Sequence, residues 1–331
     1  MTTTGHDAVD DDFVRALPKA ELHAHLSGSI SPSVLQRLWK RKRASGQCLD
    51  LEDPLTAIRH GEGFVDVVSF FPLFDQYIYA LVDDVWAVEY VTGQVLQDFK
   101  DDGVAYLELR TTPREHVASG MTKEAYVDAV SRKLREWNDS QSSKELKGSV
   151  VQHAGMVARL LLSIDRKMTA EQGEGVVDLA IRYLHPDREL RPGVQDKKAD
   201  ESRLAPVEDR VVVGIDLCGN PFKGDVSIFN RAFGRAKACG LGITIHFAEV
   251  PQSSTSNELS TILSWAPHRL GHVINVPHEL FAIIEARKLA LELCLSCNVL
   301  TGLTSGGFAK HHFGRWCKTD CAVALSVCCV R

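Results

Sequence analysis

Residues 17–30 read LPKAELHAHLSGSI, and apolar and polar side chains alternate between Ala20 and Leu26. This alternation predicts a β-strand, in which His23 and His25 project to the same side because they are two positions apart. Two neutral imidazoles on one side are good ligands for a divalent metal. A single H-x-H pair is weak support for a metal site, because buried histidines that bond to the backbone give the same pattern.

Seven further short apolar or alternating runs follow, and helix-like stretches separate most of them. Strands that alternate with helices indicate βαβ units and a parallel sheet. Eight such strands predict a closed (β/α)8 barrel that forms one domain over residues 1–331. A doubly wound open sheet is the alternative. The predicted strands are Ala20–Leu26, Val104–Thr111, Gly155–Ser163, Val211–Leu217, Gly242–His246, Arg269–Ile274, Ala290–Leu295 and Ala322–Val327. The predicted helices are Pro32–Arg43, Phe64–Lys100, Lys123–Trp137, Glu171–Tyr183 and Val226–Cys239.

The composition is that of a globular protein, with 44% hydrophobic and 24% charged residues. A formal net charge of −5 argues against a nucleic-acid-binding protein, which needs clustered positive charge. No apolar run is long enough to cross a membrane, and the acidic, polar amino-terminal stretch does not resemble a signal peptide. Nine cysteines without disulfide-type spacing fit a reducing compartment. We therefore expect a cytoplasmic protein, and we expect a monomer.

Two segments interrupt the strand and helix alternation. Pro186–Arg210 is highly charged and predicts a surface loop on the side of the barrel opposite the chemistry. Trp39–Gly63 is irregular and opens with the basic run Lys40–Arg43. We interpret that run as a solvated helix end, where cations interact favourably with the helix dipole, and not as a phosphate-binding patch or a nuclear address.

Further polar residues follow other predicted strands. His246 closes one strand and Glu249 comes three residues later, His272 lies in another strand, and Asp165 and Asp216 lie near two more strand ends. Burying unpaired polar groups is costly, so packing does not account for histidines on three strand ends beside a carboxylate. Active sites of (β/α)8 barrels lie at this carboxyl end of the strands.

On these residues, the sequence resembles the adenosine and AMP deaminases of the metal-dependent amidohydrolase superfamily. The matching stretches follow one another in order over almost the whole chain. Within the family, the resemblance is greatest to the adenosine deaminase-like proteins that hydrolyse N6-methyl-AMP. The stretches are LPKAELHAHLSGSI (17–30), YLELRTTPRE (106–115), LLLSIDR (160–166), GIDLCGNP (214–221), ITIHFAEVP (243–251), HRLGHV (268–273) and LELCLSCN (291–298).

The resemblance implies a role for each matching residue. His23, His25 and His246 match the three histidine ligands of one catalytic zinc ion. Glu249 matches the acid that protonates the purine N1, and His272 matches the histidine that orients or deprotonates the attacking water. The implied reaction is the hydrolytic deamination of a 6-aminopurine.

Smaller features favour a purine nucleoside 5′-monophosphate over a nucleoside as the substrate. Adenosine deaminases usually have an acidic residue at the position of Ser27, and a carboxylate there would repel a phosphate. The stretch Thr111-Thr112-Pro113-Arg114 offers two hydroxyls and a guanidinium to a phosphate, although it could also simply end its strand. His25, Asp165 and Gly219 match positions expected to contact the substrate. We therefore expect N6-methyl-AMP as the substrate, with adenosine as the alternative.

The carboxyl-terminal residues depart from the family pattern. Relatives follow the last barrel strand with Thr-Asp-Asp, whose first aspartate is a zinc ligand and whose second contacts substrate. This chain has Cys328 and Cys329 there, and Asp320 lies at the opposite end of that strand. A splice variant or a shifted reading frame explains this better than a cysteine metal site. We therefore expect the chain as written to lack the helices after strand eight, to bind zinc weakly, to be nearly inactive and to be poorly soluble. A catalytically silent relative that binds purine nucleotides is the remaining alternative.

Overall fold

A computed structural model describes residues 10–47, 50–57, 74–145, 155–184 and 210–327. Eight parallel strands form one sheet, in which each strand pairs with the next along the chain. The strands are β1 Lys19–His25, β2 Val104–Thr111, β3 Val157–Asp165, β4 Val212–Cys218, β5 Gly242–Phe247, β6 Arg269–His272, β7 Ala290–Cys294 and β8 Val323–Ser326.

The last strand lies beside the first, so the sheet is a nearly closed barrel. β8 contacts β1, and the backbone N–H of Val327 donates to Oε2 of Glu21 at 3.0 Å. This confirms the predicted (β/α)8 barrel and excludes the open doubly wound sheet. Cys328 and Cys329 lie outside the described residues, so the weak zinc binding inferred from them stays a prediction.

Helices connect the strands around the outside of the barrel. The α-helices are α1 Asp11–Ala16, α2 Pro32–Ala44, α3 Pro54–Ala57, α4 Tyr79–Leu81, α5 Val85–Asp101, α6 Lys123–Glu145, α7 Ala170–Leu184, α8 Asn230–Ala238, α9 Ser256–Ser264, α10 His278–Ala286, α11 Leu295–Leu300 and α12 Phe313–Trp316. Short 3₁₀-helices cover Ser27–Ser29, Val117–Ser119, Val226–Phe229, Pro251–Ser253 and Phe308–Lys310, and a π-helical turn covers Phe74–Ile78. Within the described part of the chain, no helix is long and apolar enough to cross a membrane.

The helix predicted over residues 64–100 is not continuous. Residues 64–73 lie outside the described part of the chain, and the remainder divides into the π-helical turn, α4 and α5. The carboxylate of Asp84 accepts from the backbone N–H of Ala87 at 2.8 Å and starts α5 as an N-cap. A new N-cap inside an apolar run is difficult to recognise from periodicity.

The basic run at the end of α2 is only partly as predicted. Arg41, Lys42 and Arg43 occupy the last turn of α2, which begins with Pro32 and ends at Ala44. The predicted helix Pro32–Arg43 is therefore confirmed and extends by one residue to Ala44, so the irregular stretch predicted from Trp39 begins only after this helix. Lys42 is not solvated, because it is 5% exposed and its ammonium pairs with Asp83 and Asp84. The charged segment predicted as a loop, Pro186–Arg210, lies outside the described residues except for Arg210.

The carboxyl ends of two predicted strands shift by two residues, and both shifts concern functional residues. β3 runs to Asp165, which is two residues beyond the prediction, so Asp165 ends the strand and does not follow it. β6 ends at His272 and not at residue 274, because His272 and Val273 have φ values of 63° and 48°. Left-handed backbone conformations do not continue a strand.

Candidate active site

Three histidines from two strands on opposite sides of the barrel meet at the carboxyl end of the sheet. His23 and His25 come from β1, and His246 comes from β5. Nε2 of His246 lies 3.1 Å from Nε2 of His23 and 3.0 Å from Nε2 of His25. The ligand atoms of His23, His246 and His272 lie within 4.8 Å of one another, as do those of His25, Asp216 and His246. The structure therefore places His246 next to both His23 and His25, while each of the two groups within 4.8 Å contains only one of these two β1 histidines.

The outer nitrogens of two of these rings face buried carboxylates. Nδ1 of His23 lies 2.7 Å from Oε2 of Glu292, and Nδ1 of His246 lies 3.1 Å from Oδ1 of Asp216. A carboxylate accepts hydrogen bonds, so each Nδ1 carries the proton and each Nε2 presents its lone pair. The two lone pairs then face each other, which is unfavourable unless a cation lies between them. These residues fit a metal with nitrogen ligands, since Zn–N bonds of about 2.0–2.1 Å place tetrahedral ligand nitrogens about 3.3 Å apart.

The two carboxylates are ionised, although both are fully buried. Burial alone would raise the pKa of Asp216, but His246 and Arg110 hold it well below its ordinary value. Burial opposes the charge of Glu292 in the same way, and Arg110 and His23 outweigh it and lower that pKa. Because both carboxylates are ionised, they can accept a hydrogen bond from the protonated Nδ1 atoms of His23 and His246.

Glu249 and His272 lie beside the histidine cluster, and both line the adjoining cavity. Oε1 of Glu249 is 3.8 Å from Nε2 of His272. The backbone is strained next to both residues, since Ala248 has a φ of 52° and His272 one of 63°. Left-handed φ values cost about 1–3 kcal/mol for residues other than glycine and cluster at functional sites.

Hydrogen bonds from later residues hold this strained backbone. The backbone N–H of Asn275 donates to the carbonyl of Ala248 at 2.8 Å, and its side-chain amide donates to the carbonyl of Glu249 at 3.1 Å. Nε2 of His312 donates to the carbonyl of His272 at 2.6 Å. Burial and the neighbouring ring of His311 lower the pKa of His312 to about 4, so it donates as a neutral imidazole near neutral pH.

A cavity of about 270 Å³ opens beside the cluster. Of the residues predicted to bind substrate, all but one line it: His25, Ser27, Thr111, Thr112, Arg114, Asp165 and Gly219. The exception is Pro113, which is buried and does not contribute to the lining. The hydroxyl of Thr111 is already engaged, since its Oγ1 lies 2.6 Å from the hydroxyl of Tyr126. Thr111 is therefore a weaker phosphate candidate than its neighbours.

Four cationic side chains line this cavity: Arg110, Arg114, Lys167 and Lys223. The guanidinium of Arg114 lies over the ring of Tyr79, 4.0 Å from its centroid, and 5.4 Å from the ring centroid of Tyr126. Lys167 and Lys223 line the same cavity from the loops after β3 and β4. The sequence prediction identified Arg114 but neither lysine, because no strand-end pattern marks a lysine in a loop. Cations that surround a cavity favour an anionic ligand.

The turn after β4 requires a glycine. Gly219 has a φ of 99°, and a Cβ at this position would lie 2.4 Å from Oδ1 of Asp165. The same Asp165 oxygen accepts from the backbone N–H of Lys167 at 2.9 Å. Gly219 therefore allows the loop after β4 to pass close to the carboxylate that ends β3.

Other residues of the site were not predicted. Arg110 and Glu292 lie inside the barrel and contact each other. Oδ1 of Asn298 lies 3.0 Å from Nδ1 of His272. The signal for the first two was present, because a charged residue inside an apolar strand of a barrel needs a buried partner. Asp216 was noted at a strand end, but its contact with His246 was not foreseen.

Comparison with known proteins agrees with this geometry. The chain matches the family described as "Adenosine deaminase" over residues 18–188 and 190–326. It is 34% identical to the N6-mAMP deaminase of Arabidopsis thaliana over 311 residues, which cover 91% of this chain and 79% of that protein. The crystal structure of the arabidopsis N6-mAMP deaminase superposes with a TM-score of 0.76 at 32% identity, and the match covers 96% of this chain and 84% of that one. A crystal structure of arabidopsis ADAL complexed with IMP matches with the same TM-score and identity over 96% of this chain and 82% of that one. The chain therefore belongs to the adenosine deaminase family and is, by family, an aminohydrolase of the deaminase type.

Proposed function

We propose that this chain hydrolyses the 6-amino group of a purine nucleoside 5′-monophosphate, and that N6-methyl-AMP is the substrate. The products are IMP and methylamine: the bond from C6 to nitrogen breaks, and a bond from C6 to the oxygen of water forms. The observation that carries the proposal is the contact of His246 Nε2 with Nε2 of both His23 and His25, beside a cavity lined by cations. The names of the arabidopsis relatives support the same substrate class.

The metal in this proposal is one zinc ion, held by His23, His25 and His246. Three imidazole ligands are typical of catalytic zinc sites that leave a position open for water or substrate. When bound, zinc acts as a Lewis acid and lowers the pKa of bound water to about 7. The protein contributes the orientation of the rings, which Glu292 and Asp216 set through their contacts with His23 and His246.

Glu249 and His272 transfer the protons of the reaction. Glu249 lines the cavity and donates a proton to the purine N1, which makes C6 more electrophilic. His272 accepts or orients the proton of the attacking water, since its Nε2 faces the same space as Glu249. General acid and base groups of this kind contribute about 10²–10⁴-fold each to the rate. His272 passes the proton taken from water to the leaving amine as the C6–N bond breaks, and Glu249 regains its proton from the hydroxyl group on C6 as the C6 carbonyl of IMP forms.

The phosphate preference follows from the charges that line the cavity. Arg114, Lys167 and Lys223 provide three cations, and Ser27 offers a hydroxyl. Because Tyr79 and Tyr126 hold the guanidinium of Arg114, little side-chain freedom is lost when an anion binds. We assign the contacts with base or ribose to Asp165 and Gly219, and a further contact with the substrate to His25.

A substrate comparison tests this proposal. In zinc-supplemented buffer, kcat/KM is measured for methylamine release from N6-methyl-AMP and for ammonia release from AMP and adenosine. We expect N6-methyl-AMP to have the highest value and adenosine the lowest. Because the three substrates are compared on one protein preparation, the ratios hold even where absolute rates are low. A preference for adenosine would contradict the proposal.

A further inference from the structure

Arg110 is a fully buried arginine in the interior of the barrel. It is the next-to-last residue of β2 and pairs in register with His25 of β1. Arg110 is 0% exposed. A guanidinium buried this deeply is costly unless nearby groups offset its charge; among the described residues Nε of Arg110 has no hydrogen-bond partner, so Nη1 and Nη2 make the compensating contacts. The groups that match it therefore indicate what the arginine does.

The two terminal nitrogens of Arg110 bond two different carboxylates. Nη1 donates to Oδ1 of Asp216 at 3.1 Å, and Nη2 donates to Oε2 of Glu292 at 2.7 Å. Nη2 also donates to the carbonyl of Leu22 at 2.6 Å, in the strand that carries His23. Arg110 thus connects β1, β4 and β7 beneath the histidine cluster.

The carboxylate oxygens that Arg110 contacts are the same two that contact the histidines. Oδ1 of Asp216 lies 3.1 Å from Nδ1 of His246, and Oε2 of Glu292 lies 2.7 Å from Nδ1 of His23. A single guanidinium therefore links the orienting groups of two histidines that come from β1 and β5. Displacing Arg110 would remove a charged hydrogen-bond donor from both of these oxygens at once.

We propose that Arg110 is a positioning residue of the metal site, whose guanidinium fork fixes Asp216 and Glu292 so that His23 and His246 direct Nε2 at one ion. The proposal rests on the proposed zinc site. Outer groups that orient metal-ligating histidines change metal affinity by about 10–100-fold when they are removed. Arg110 acts on two histidine ligands together, through its bonds with Asp216 and Glu292.

The chemistry requires arginine and not simply a positive charge. The planar guanidinium presents donors in fixed directions and can bond two acceptors at once. A lysine ammonium is a compact point charge on a flexible stem, so it cannot hold both carboxylates and the Leu22 carbonyl in the same geometry. Arg110→Lys should therefore keep the charge and lose the alignment.

Arg269 provides a matched control. Its Nε donates to Oε1 of Glu292 at 2.5 Å, and its Nη2 pairs with Glu108. It therefore bonds the same carboxylate as Arg110 but on the oxygen that does not face His23. Among the residues that the structure describes, it has no bond with Asp216. Arg269→Lys removes an arginine from this network without touching the oxygens that orient the histidines.

The test measures zinc dissociation constants by competition with a chelator of known affinity, in the wild-type chain and in Arg110→Lys, Arg110→Met and Arg269→Lys. The absorption spectrum of each cobalt(II)-substituted protein is recorded as well, because its visible bands report ligand geometry. We expect both Arg110 variants to bind zinc about 10–100-fold more weakly and to show altered cobalt bands. We expect Arg269→Lys to change the dissociation constant by less than about threefold.

Several results would overturn the proposal. These are wild-type zinc affinity and cobalt spectra in Arg110→Lys, equal losses in the Arg110 and Arg269 variants, and a failure of Arg110→Lys to fold where Arg269→Lys folds. The last result would assign Arg110 to folding and not to the metal site. A wild-type chain that binds no zinc would refute the proposed metal site itself, which distinguishes that failure from a failure of the role given to Arg110.

Discussion

Nε2 of His272 lies 3.8 Å from Oε1 of Glu249, and both groups face the cavity beside the histidine cluster. The two side chains come from the ends of neighbouring strands, β6 and β5, where the backbone is left-handed at Ala248 and His272. In the proposed function, Glu249 is the proton donor and His272 the proton acceptor of the hydrolytic deamination.

Glu249→Gln should keep the metal and lose most of the activity. The amide has nearly the shape of the carboxyl group but cannot donate and then recover a proton, so we expect kcat to fall by about 10²–10⁴-fold. The measurement is kcat for N6-methyl-AMP together with zinc content. Turnover near the wild-type rate would refute the general-acid role, and a parallel loss of zinc would show that Glu249 supports the metal.

Arg114→Ala should raise KM for N6-methyl-AMP more than it lowers kcat. Phosphate binding is largely equal in the ground and transition states, so its loss appears in KM. Adenosine serves as the internal control because it has no phosphate, and its KM should stay unchanged. Equal effects on both substrates would assign Arg114 to packing against Tyr79 and not to phosphate recognition.

Gly271→Ala should weaken zinc binding without altering any ligand. A Cβ at Gly271 would lie 2.5 Å from Cε1 and 2.9 Å from Nδ1 of His23, so the ring would have to move. Overpacking of this kind costs about 1–3 kcal/mol of stability. Gly234→Ala is the control, because nothing lies within 4 Å of its Cβ position in α8, and alanine there should stabilise the helix by about 1 kcal/mol. Unfolding midpoints and zinc affinity test both variants, and unchanged zinc affinity in Gly271→Ala would contradict the close approach to His23.

Acidification should destabilise the protein partly through His312. Its pKa is lowered from 6.5 to about 4, so the unfolded chain takes up this proton at a higher pH than the folded protein does. The stability that comes from neutral His312 is therefore complete above pH 6.5 and is lost as the pH falls towards 4. The loss is on the order of 3 kcal/mol.

His312→Gln isolates this contribution, because glutamine can still donate to the His272 carbonyl but does not titrate. The free energy of unfolding, measured by denaturant titration between pH 7.5 and 4, should fall less steeply in the variant than in the wild-type protein. Parallel curves would contradict the lowered pKa of His312.

The barrel could be predicted from sequence because its signals are local. Eight short apolar strands with helices between them define the topology, and His23, His25, His246, Glu249 and His272 stand at strand ends where this fold carries its chemistry. Local patterns do not show which inward-facing charge meets which distant strand. For this reason the contacts of Arg110 with Asp216 and Glu292 became visible only in three dimensions.

Backbone strain is the second feature that the sequence pattern did not predict. Val273 is β-branched and its sequence favours an extended strand, but its φ is 48° and the strand ends one residue earlier. The indole N–H of Trp316 donates to the carbonyl of Val273 at 3.2 Å, and His312 bonds the carbonyl of His272. Tertiary contacts from 40 residues later along the chain therefore impose a conformation that local preference opposes.

The central claim is that His23, His25 and His246 bind one zinc ion on which the deamination depends. The direct measurement is equilibrium dialysis of the metal-free chain against excess zinc, with metal analysis of the wild-type protein and of His246→Ala. At saturating zinc we expect one zinc per wild-type chain and little or none in His246→Ala, and we expect methylamine release from N6-methyl-AMP, even at a low rate, only when zinc is bound. Equal zinc in both proteins, or the same turnover with and without zinc, would contradict it.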